Sequence, residues 1–452
     1  MTDVGEVRAQ PELKRAIGPK LLLFFVIGDI LGTGIYALTG SVAGKIGGAL
    51  WLPFLLAFVV AFLTAFSYLE LVGKYPQAAG AALYTHKAFG INFLTFMVTF
   101  TVMASGVTSA ATASKAFGET YLRQFIELPT WAVAAVFILG LALINFRGVG
   151  ESVKANVVLT CIELSGLLLI IFVGVYAVAQ GRGEPSRLVE INTGETGAFL
   201  AITAATSLAF FAMVGFEDSV NMAEECHDPP RIFPKAMLTG MAVAALIYVL
   251  VAVLSSMLVP AAELAAAKSS ALFLVLEAGA PGFPLAVFGA IGLFAVVNSA
   301  LINMLMASRL LYGMSNERIL PTIFGRVHPT RRTPWFSIVF TSVLALILVM
   351  SVDITALGGT TALLLLGVFT IVNVAVLVLR RDEVSHDHFR APSWTPWVGI
   401  VLCGFLATPL SGRPLQEFLI AGVLLVVGAI LWFLNRMFVG RVDVDATRLG
   451  KS

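Results

Sequence analysis

The chain has 452 residues, 58% of them hydrophobic and 12% charged, with a mean hydropathy of +0.92. That composition excludes an ordinary water-soluble globule, in which the charged fraction runs near ~25%. A formal net charge of +2 gives no strongly basic surface, so no nucleic-acid partner is expected.

Apolar windows recur along the whole chain, each near the roughly 20 residues that a spanning helix needs. In order they fall at about 21–44, 50–73, 93–117, 130–146, 154–180, 198–222, 236–259, 284–312, 335–351, 355–379, 396–411 and 415–437. The pattern predicts an all-α polytopic membrane protein with twelve transmembrane helices in a lipid bilayer. Residues 1–20 read as a cytoplasmic N-terminal segment, 21–439 as one membrane domain and 440–452 as a polar cytoplasmic tail. The connections near 181–197, 260–283, 313–334 and 380–395 are too short to fold alone.

With the N-terminus inside, 22 of the 29 Lys and Arg fall in cytoplasmic segments and 7 on the other side. This bias follows the positive-inside rule and places both termini in the cytoplasm of a cell (inner) membrane protein. Arg8, Lys14, Arg15 and Lys20 precede the first span without a short apolar core or cleavage site, so no removable signal peptide is expected. Cys161 and Cys403 lie in spans and Cys226 in a loop, which makes neither a disulfide framework nor a metal pattern.

Two spans are broken by glycine. In the first, Gly32 and Gly34 flank Thr33 inside Gly28-Asp-Ile-Leu-Gly-Thr-Gly-Ile-Tyr36. In the second, Phe210-Phe-Ala-Met-Val-Gly215 is followed at once by Phe216, Glu217 and Asp218. Backbone groups left unpaired in hydrocarbon cost several kcal/mol, so such breaks survive only where they line a protein cavity. Paired breaks in corresponding halves of a chain point to a transporter's substrate site. The second half of the first span, starting near Gly34, would present free N–H groups and a positive dipole end to a carboxylate, with the Thr33 hydroxyl beside them. The carbonyls of Ile30, Phe211 and Val214 would face an ammonium group. The competing reading of Gly32 and Gly34 is close helix packing, and that of Phe211 is an ordinary packed aromatic.

Four acids fall within or at the edge of spans: Asp29, Glu163, Glu217 and Asp218. A carboxylate at mid-bilayer costs roughly 2.5–3.5 kcal/mol on insertion scales, so each is a functional candidate. Burial and like neighbours favour the protonated acid, which suits a proton carrier. The competing reading is a permanently neutral acid bonded to a backbone carbonyl. The five histidines all fall in cytoplasmic segments; His386 and His388 lack the further ligands of a metal site, and no metal is expected.

These motifs resemble the bacterial permeases of the amino acid–polyamine–organocation superfamily. The likeness rests on Gly32-Thr-Gly-Ile-Tyr36, on Phe210 to Glu217 with Ala223-Glu-Glu225 and Pro234, and on two cytoplasmic signatures. The first of these is Ser67-Tyr-Leu-Glu-Leu-Val-Gly-Lys-Tyr-Pro76 with Ala88-Phe-Gly90. The second is Ala307-Ser-Arg-Leu-Leu-Tyr-Gly-Met314 with Leu320-Pro321, His328-Pro329 and Thr333-Pro-Trp335. The resemblance runs from about residue 12 to 440. It implies the leucine-transporter fold: a 5+5 inverted repeat, with helices 1 and 6 broken. Repeat one would span about 21–180 and repeat two about 198–379, with helices 11 and 12 appended at about 396–437.

The resemblance further implies a secondary transporter, not an enzyme, that moves amino acids by alternating access. The substrate carboxylate would meet Thr33 and Gly34, and the amine Ile30, Phe211 and Val214. One departure stands out. Aligning Gly148 to Asn156 with the family's segment places Glu163 where proton-coupled relatives often carry a lysine. Glu163, with Asp29 and Glu217, is therefore the expected ion or proton coupling site, for a proton or for sodium, with no other cofactor. A polyamine or organic amine carrier, or an amino-acid exchanger, remains the alternative. Neither the transported side chain nor the oligomeric state is legible from these motifs.

Overall fold

Long apolar runs can pair their backbone groups only within a helix when they sit in hydrocarbon, and the computed structural model, which describes residues 17–77, 80–147, 152–192, 194, 197–316 and 320–439, is accordingly built of helices joined by short turns and loops. Residues 1–16 of the N-terminal segment, the tail at 440–452 and the Gly148–Glu151 part of the aligned segment lie outside the described residues.

The first apolar window becomes two helices, α1 (Pro19–Ile30) and α2 (Thr33–Ile46), joined through Leu31 and Gly32. They are followed by α3 (Trp51–Lys74), a short α4 (Gly80–Phe89), α5 (Asn92–Ala116), α6 (Thr130–Arg147) and α7 (Ser152–Ala179). The second half opens with α8 (Gly197–Ala209), which gives way to short 3₁₀ turns at Phe210–Met213 and Asp218–Glu225. Then come α9 (Pro229–Leu258), α10 (Ala261–Ala267), α11 (Ala271–Gly279), α12 (Leu285–Asn316), α13 (Trp335–Ser351), α14 (Ile354–Leu379), α15 (Thr395–Leu406) and α16 (Leu415–Val439).

Ten segments among the described residues are long and apolar enough to cross a membrane, the two broken ones counted whole, which makes this a multi-pass membrane protein. The windows expected at 335–351 and 396–411 form the shorter apolar helices α13 and α15. The latter stops at Leu406, because Pro409 and the left-handed Gly412 turn the chain before α16. The connection expected at 260–283 is not plain loop: it folds into α10 and α11, and α10 packs against α2. Helix α9 starts at Pro229 rather than 236, since Pro229 and Pro230 suit a first helical turn where no N–H partner is needed.

Packing forms one continuous apolar core that includes both broken segments. Side chains such as Val136 and Phe172 are exposed on the outside, as surface that meets lipid should be. At one end of the bundle, Glu70 of α3 takes a two-pronged bond from Arg380, Nε to Oε1 at 2.8 Å and Nη2 to Oε2 at 2.7 Å. Lys74 Nζ donates to the carbonyls of Leu379 and Asp382 beside it. In the link between α15 and α16, Arg413 donates to Glu417 at 2.6 Å, to the Gly359 carbonyl at 2.9 Å and to the Ser207 carbonyl at 3.0 Å. That arginine therefore ties α8, just ahead of its break, to α14 and α16.

Candidate functional site

The two breaks meet. Glycine is required at both contacts: a Cβ on Gly34 would lie 2.4 Å from Ala212 Cα, and one on Gly215 would lie 2.7 Å from the Asp29 carbonyl oxygen. Gly215 also has φ +128°, a conformation that side chains other than hydrogen resist. The second break is thereby wedged against the first, and a small cavity opens beside them.

Its walls hold every residue proposed from sequence as a substrate contact: Ile30, Thr33, Gly34, Phe211 and Val214, together with Gly32 and Gly215 of the breaks. Helix α1 ends at Ile30 and α2 starts at Thr33, so the carbonyl end of one half-helix and the N–H end of the other face the same space. The Thr33 hydroxyl is 2% exposed and has no hydrogen-bond partner. Two of the carbonyls already hold one bond each. Tyr248 of α9 donates its hydroxyl to the Ile30 carbonyl, and the Val214 N–H reaches Phe211 at 3.3 Å. A carbonyl oxygen has two lone pairs, so each keeps one for a ligand. Of the aromatic and Met side chains at the second break, Phe211 lines the cavity, whereas Phe210 packs on Phe369 at a ring distance of 5.9 Å and Met213 is buried.

The acids separate into three situations. Asp29 and Asp218 line the cavity, and one oxygen of Asp29 has no partner. Glu217 does not line it: its Oε2 accepts the Gly215 N–H at 2.9 Å and so props the break from behind. Glu163 does not line it either. It is fully buried on α7, which packs against α1, and neither of its carboxyl oxygens has a hydrogen-bond partner. Its backbone carbonyl accepts from Tyr36 at 2.6 Å, and the Tyr36 carbonyl accepts from Tyr121 at 2.9 Å. The structure thus brings Asp29 to the substrate space while keeping Glu163 and Glu217 outside it.

The far wall was not foreseen. Ser109 of α5 and Ser299 and Asn303 of α12 complete the cavity. Ser299 and Asn303 stand one turn apart, with the Asn303 amide donating to the Ser299 carbonyl at 2.8 Å. A pair of polar residues at i and i+4 in an otherwise apolar span was the available signal. In the loop after the second break, Arg231 pairs with Asp228 at 3.4 Å. The Glu225 carbonyl accepts from the Ile17 N–H, and the His227 N–H donates to the Ile17 carbonyl, both at 3.0 Å. Cys226 sits inside this clasp, where burial pushes its thiol up to about 12 and makes it a poor nucleophile. Among the described residues no group of His, Cys, Asp and Glu is arranged to hold a metal ion.

Comparison with known proteins identifies the family. A family model described as amino acid permease matches residues 17–433. The chain is 25% identical to a branched-chain amino acid permease of Bacillus subtilis (strain 168) over 458 residues, covering 95% of each chain. It is 28% identical to a methylthioribose transporter of the same organism over 445 residues, covering 93% of each. It is also 26% identical to the human cationic amino acid transporter 4 over 409 residues, or 85% of this chain and 62% of that one.

Proposed function

Because this chain belongs to the amino acid permease family, we propose that it carries amino acids across the cell membrane by proton-coupled alternating access, with both termini in the cytoplasm. One observation carries the reading: two broken helices share a cavity that offers a helix N-terminus and a free hydroxyl at Thr33 and Gly34, and carbonyls and carboxyls at Ile30, Val214, Asp29 and Asp218. A zwitterion needs those two ends, donors for its carboxylate and acceptors for its ammonium. Ten long apolar segments and two shorter ones, with breaks in the first and in Gly197–Ala223, support a twelve-helix leucine-transporter arrangement.

Coupling is assigned to Glu163. An ionised carboxylate in a dry interior without a counter-charge is expensive, and Glu163 has no partner on either oxygen. Such a group holds a proton while its surroundings are dry and releases it when α1 moves away and water enters. Asp29 stands on α1, the helix that packs against α7. Glu217 supports the break through Gly215.

The test is uptake of labelled amino acids into proteoliposomes under an imposed proton or sodium gradient. Proton-driven accumulation that collapses with a protonophore is expected, and Glu163→Gln should still bind substrate but lose the dependence on the gradient. Accumulation driven by sodium alone, or unchanged proton dependence in Glu163→Gln, sinks the coupling assignment. Stimulation only by amino acid on the opposite face would establish an exchanger instead.

A further inference from the structure

We infer that the cavity is built for an amino acid that carries a second positive charge on its side chain, with Asp29 and Asp218 as the residues that select it. The inference rests on the transport reading above and names its substrate class.

The argument is one of matching charges. Asp29 and Asp218 both line the cavity, and among the described residues no Lys, Arg or His does. Two buried acids elsewhere are answered by a cation, Glu70 by Arg380 and Glu417 by Arg413, while Glu163 on α7 is bare but lies outside the cavity. Glu217, the nearest other acid in sequence, is spent on the Gly215 N–H. Two carboxyls therefore remain for whatever enters. Two carboxylates in one small space repel each other, and each is stabilised by an opposite charge at hydrogen-bond distance.

A neutral amino acid brings one ammonium and leaves one carboxyl unmatched. Lysine, ornithine or arginine brings two positive groups. A diamine also brings two, but leaves the other end of the site unanswered, where the buried Thr33 hydroxyl has no partner and α2 presents its N-terminus. The full set of groups is satisfied by one carboxylate and two cations on the same molecule.

Position supports the same assignment. Gly215 lies against Asp29, with a Cβ placed there falling 3.1 Å from Asp29 Cγ as well as 2.7 Å from its carbonyl oxygen. Only glycine lets the second break come this close to Asp29. Phe211 lines the same cavity, and an aromatic ring attracts an ammonium or a planar guanidinium that stacks on it.

The experiment is labelled arginine and leucine uptake by the wild-type protein and by Asp29→Asn and Asp218→Asn in proteoliposomes, with putrescine as a competitor. Folding of each variant is monitored by size-exclusion chromatography and its thermal midpoint. Wild-type protein should prefer arginine in kcat/KM. Asp218→Asn should lower arginine uptake by roughly tenfold to a hundredfold, the worth of a charged hydrogen bond, and lower leucine uptake far less. Asp29→Asn should shift the ratio in the same direction even if Asp218→Asn fails to fold. Putrescine should compete weakly. Preference for leucine in the wild type, or an equal loss for both substrates in the folded variants, overturns this inference and leaves amino acid transport standing. Putrescine competing as well as arginine overturns the role given to Thr33 and the α2 terminus. Absence of any amino acid uptake under every gradient overturns both readings together.

Discussion

Compare the link between α15 and α16 with the cavity at the centre of the molecule. In the link, Arg413 is 7% exposed and Glu417 1%, and the arginine is bonded to the acid and to three backbone carbonyls. In the cavity, Asp29 and Asp218 face a space that no cationic side chain among the described residues enters, and Thr33 beside them has an idle hydroxyl. Both regions place ionisable groups where water is scarce. One closes its hydrogen bonds within the protein and holds helices together; the other leaves them open for a molecule that comes and goes. A buried polar group without a partner is costly, so leaving several at one point marks where a ligand completes the structure.

The largest expected effect tests the closed region. Arg413→Ala leaves Glu417 buried without its partner and frees the carbonyls of Leu406, Gly359 and Ser207. Loss of one member of a buried pair costs about 3–5 kcal/mol, so the thermal midpoint in detergent should fall sharply with every substrate affected alike. The double change of Arg413→Met with Glu417→Leu should recover much of that loss, because no charge is then stranded. A midpoint unchanged by Arg413→Ala would remove the pair from any structural role.

A smaller effect is expected at the contact between the breaks. Gly215→Ala forces a side chain into φ +128° and into the Asp29 backbone. Strain of about 1–3 kcal/mol follows, and it falls on the residue that reads the substrate. Transport should drop more than stability does, which parallel uptake and melting measurements will separate. Equal loss of both would make Gly215 a packing residue only.

The positions of the breaks were legible because glycine pairs in an apolar run have no other economical use than packing or unwinding, and the Phe-Phe-Ala-Met-Val-Gly stretch repeats the signal in the second half. The half-helix ends at Ile30 and Thr33 follow from the same residues. What the chain did not announce is everything that depends on helices meeting. Ser109, Ser299 and Asn303 come from spans with no break, and only packing turns them toward the cavity. The i, i+4 spacing of Arg413 and Glu417 was visible, but ordinary i, i+4 pairs are solvated; the burial arises from α8 and α14 closing over them. Glu217 and Asp218 are neighbours in sequence with opposite duties, because the sharp turn at Gly215 folds the first carboxylate back on its own backbone and leaves the second facing the cavity. The helices α10 and α11 escaped notice since each is too short to register as a spanning window.

Tyr248→Phe sharpens the distinction between holding and reading with the smallest expected effect. The hydroxyl donates to the Ile30 carbonyl, at the end of α1 and on the cavity wall. Its removal deletes one neutral hydrogen bond, worth about 0.5–1.5 kcal/mol, and keeps the ring that packs against Phe54. The hydroxyl bears no charge and serves a carbonyl that every amino acid's ammonium would meet in the same way. A modest drop in the thermal midpoint should therefore come with an arginine-to-leucine uptake ratio equal to that of the wild type. Asp218→Asn should do the reverse, moving the ratio with little change in the midpoint. If Tyr248→Phe shifts the ratio as far as Asp218→Asn does, selection depends on the shape of the break rather than on the charge beside it, and the division between the two regions fails at the residue where they touch.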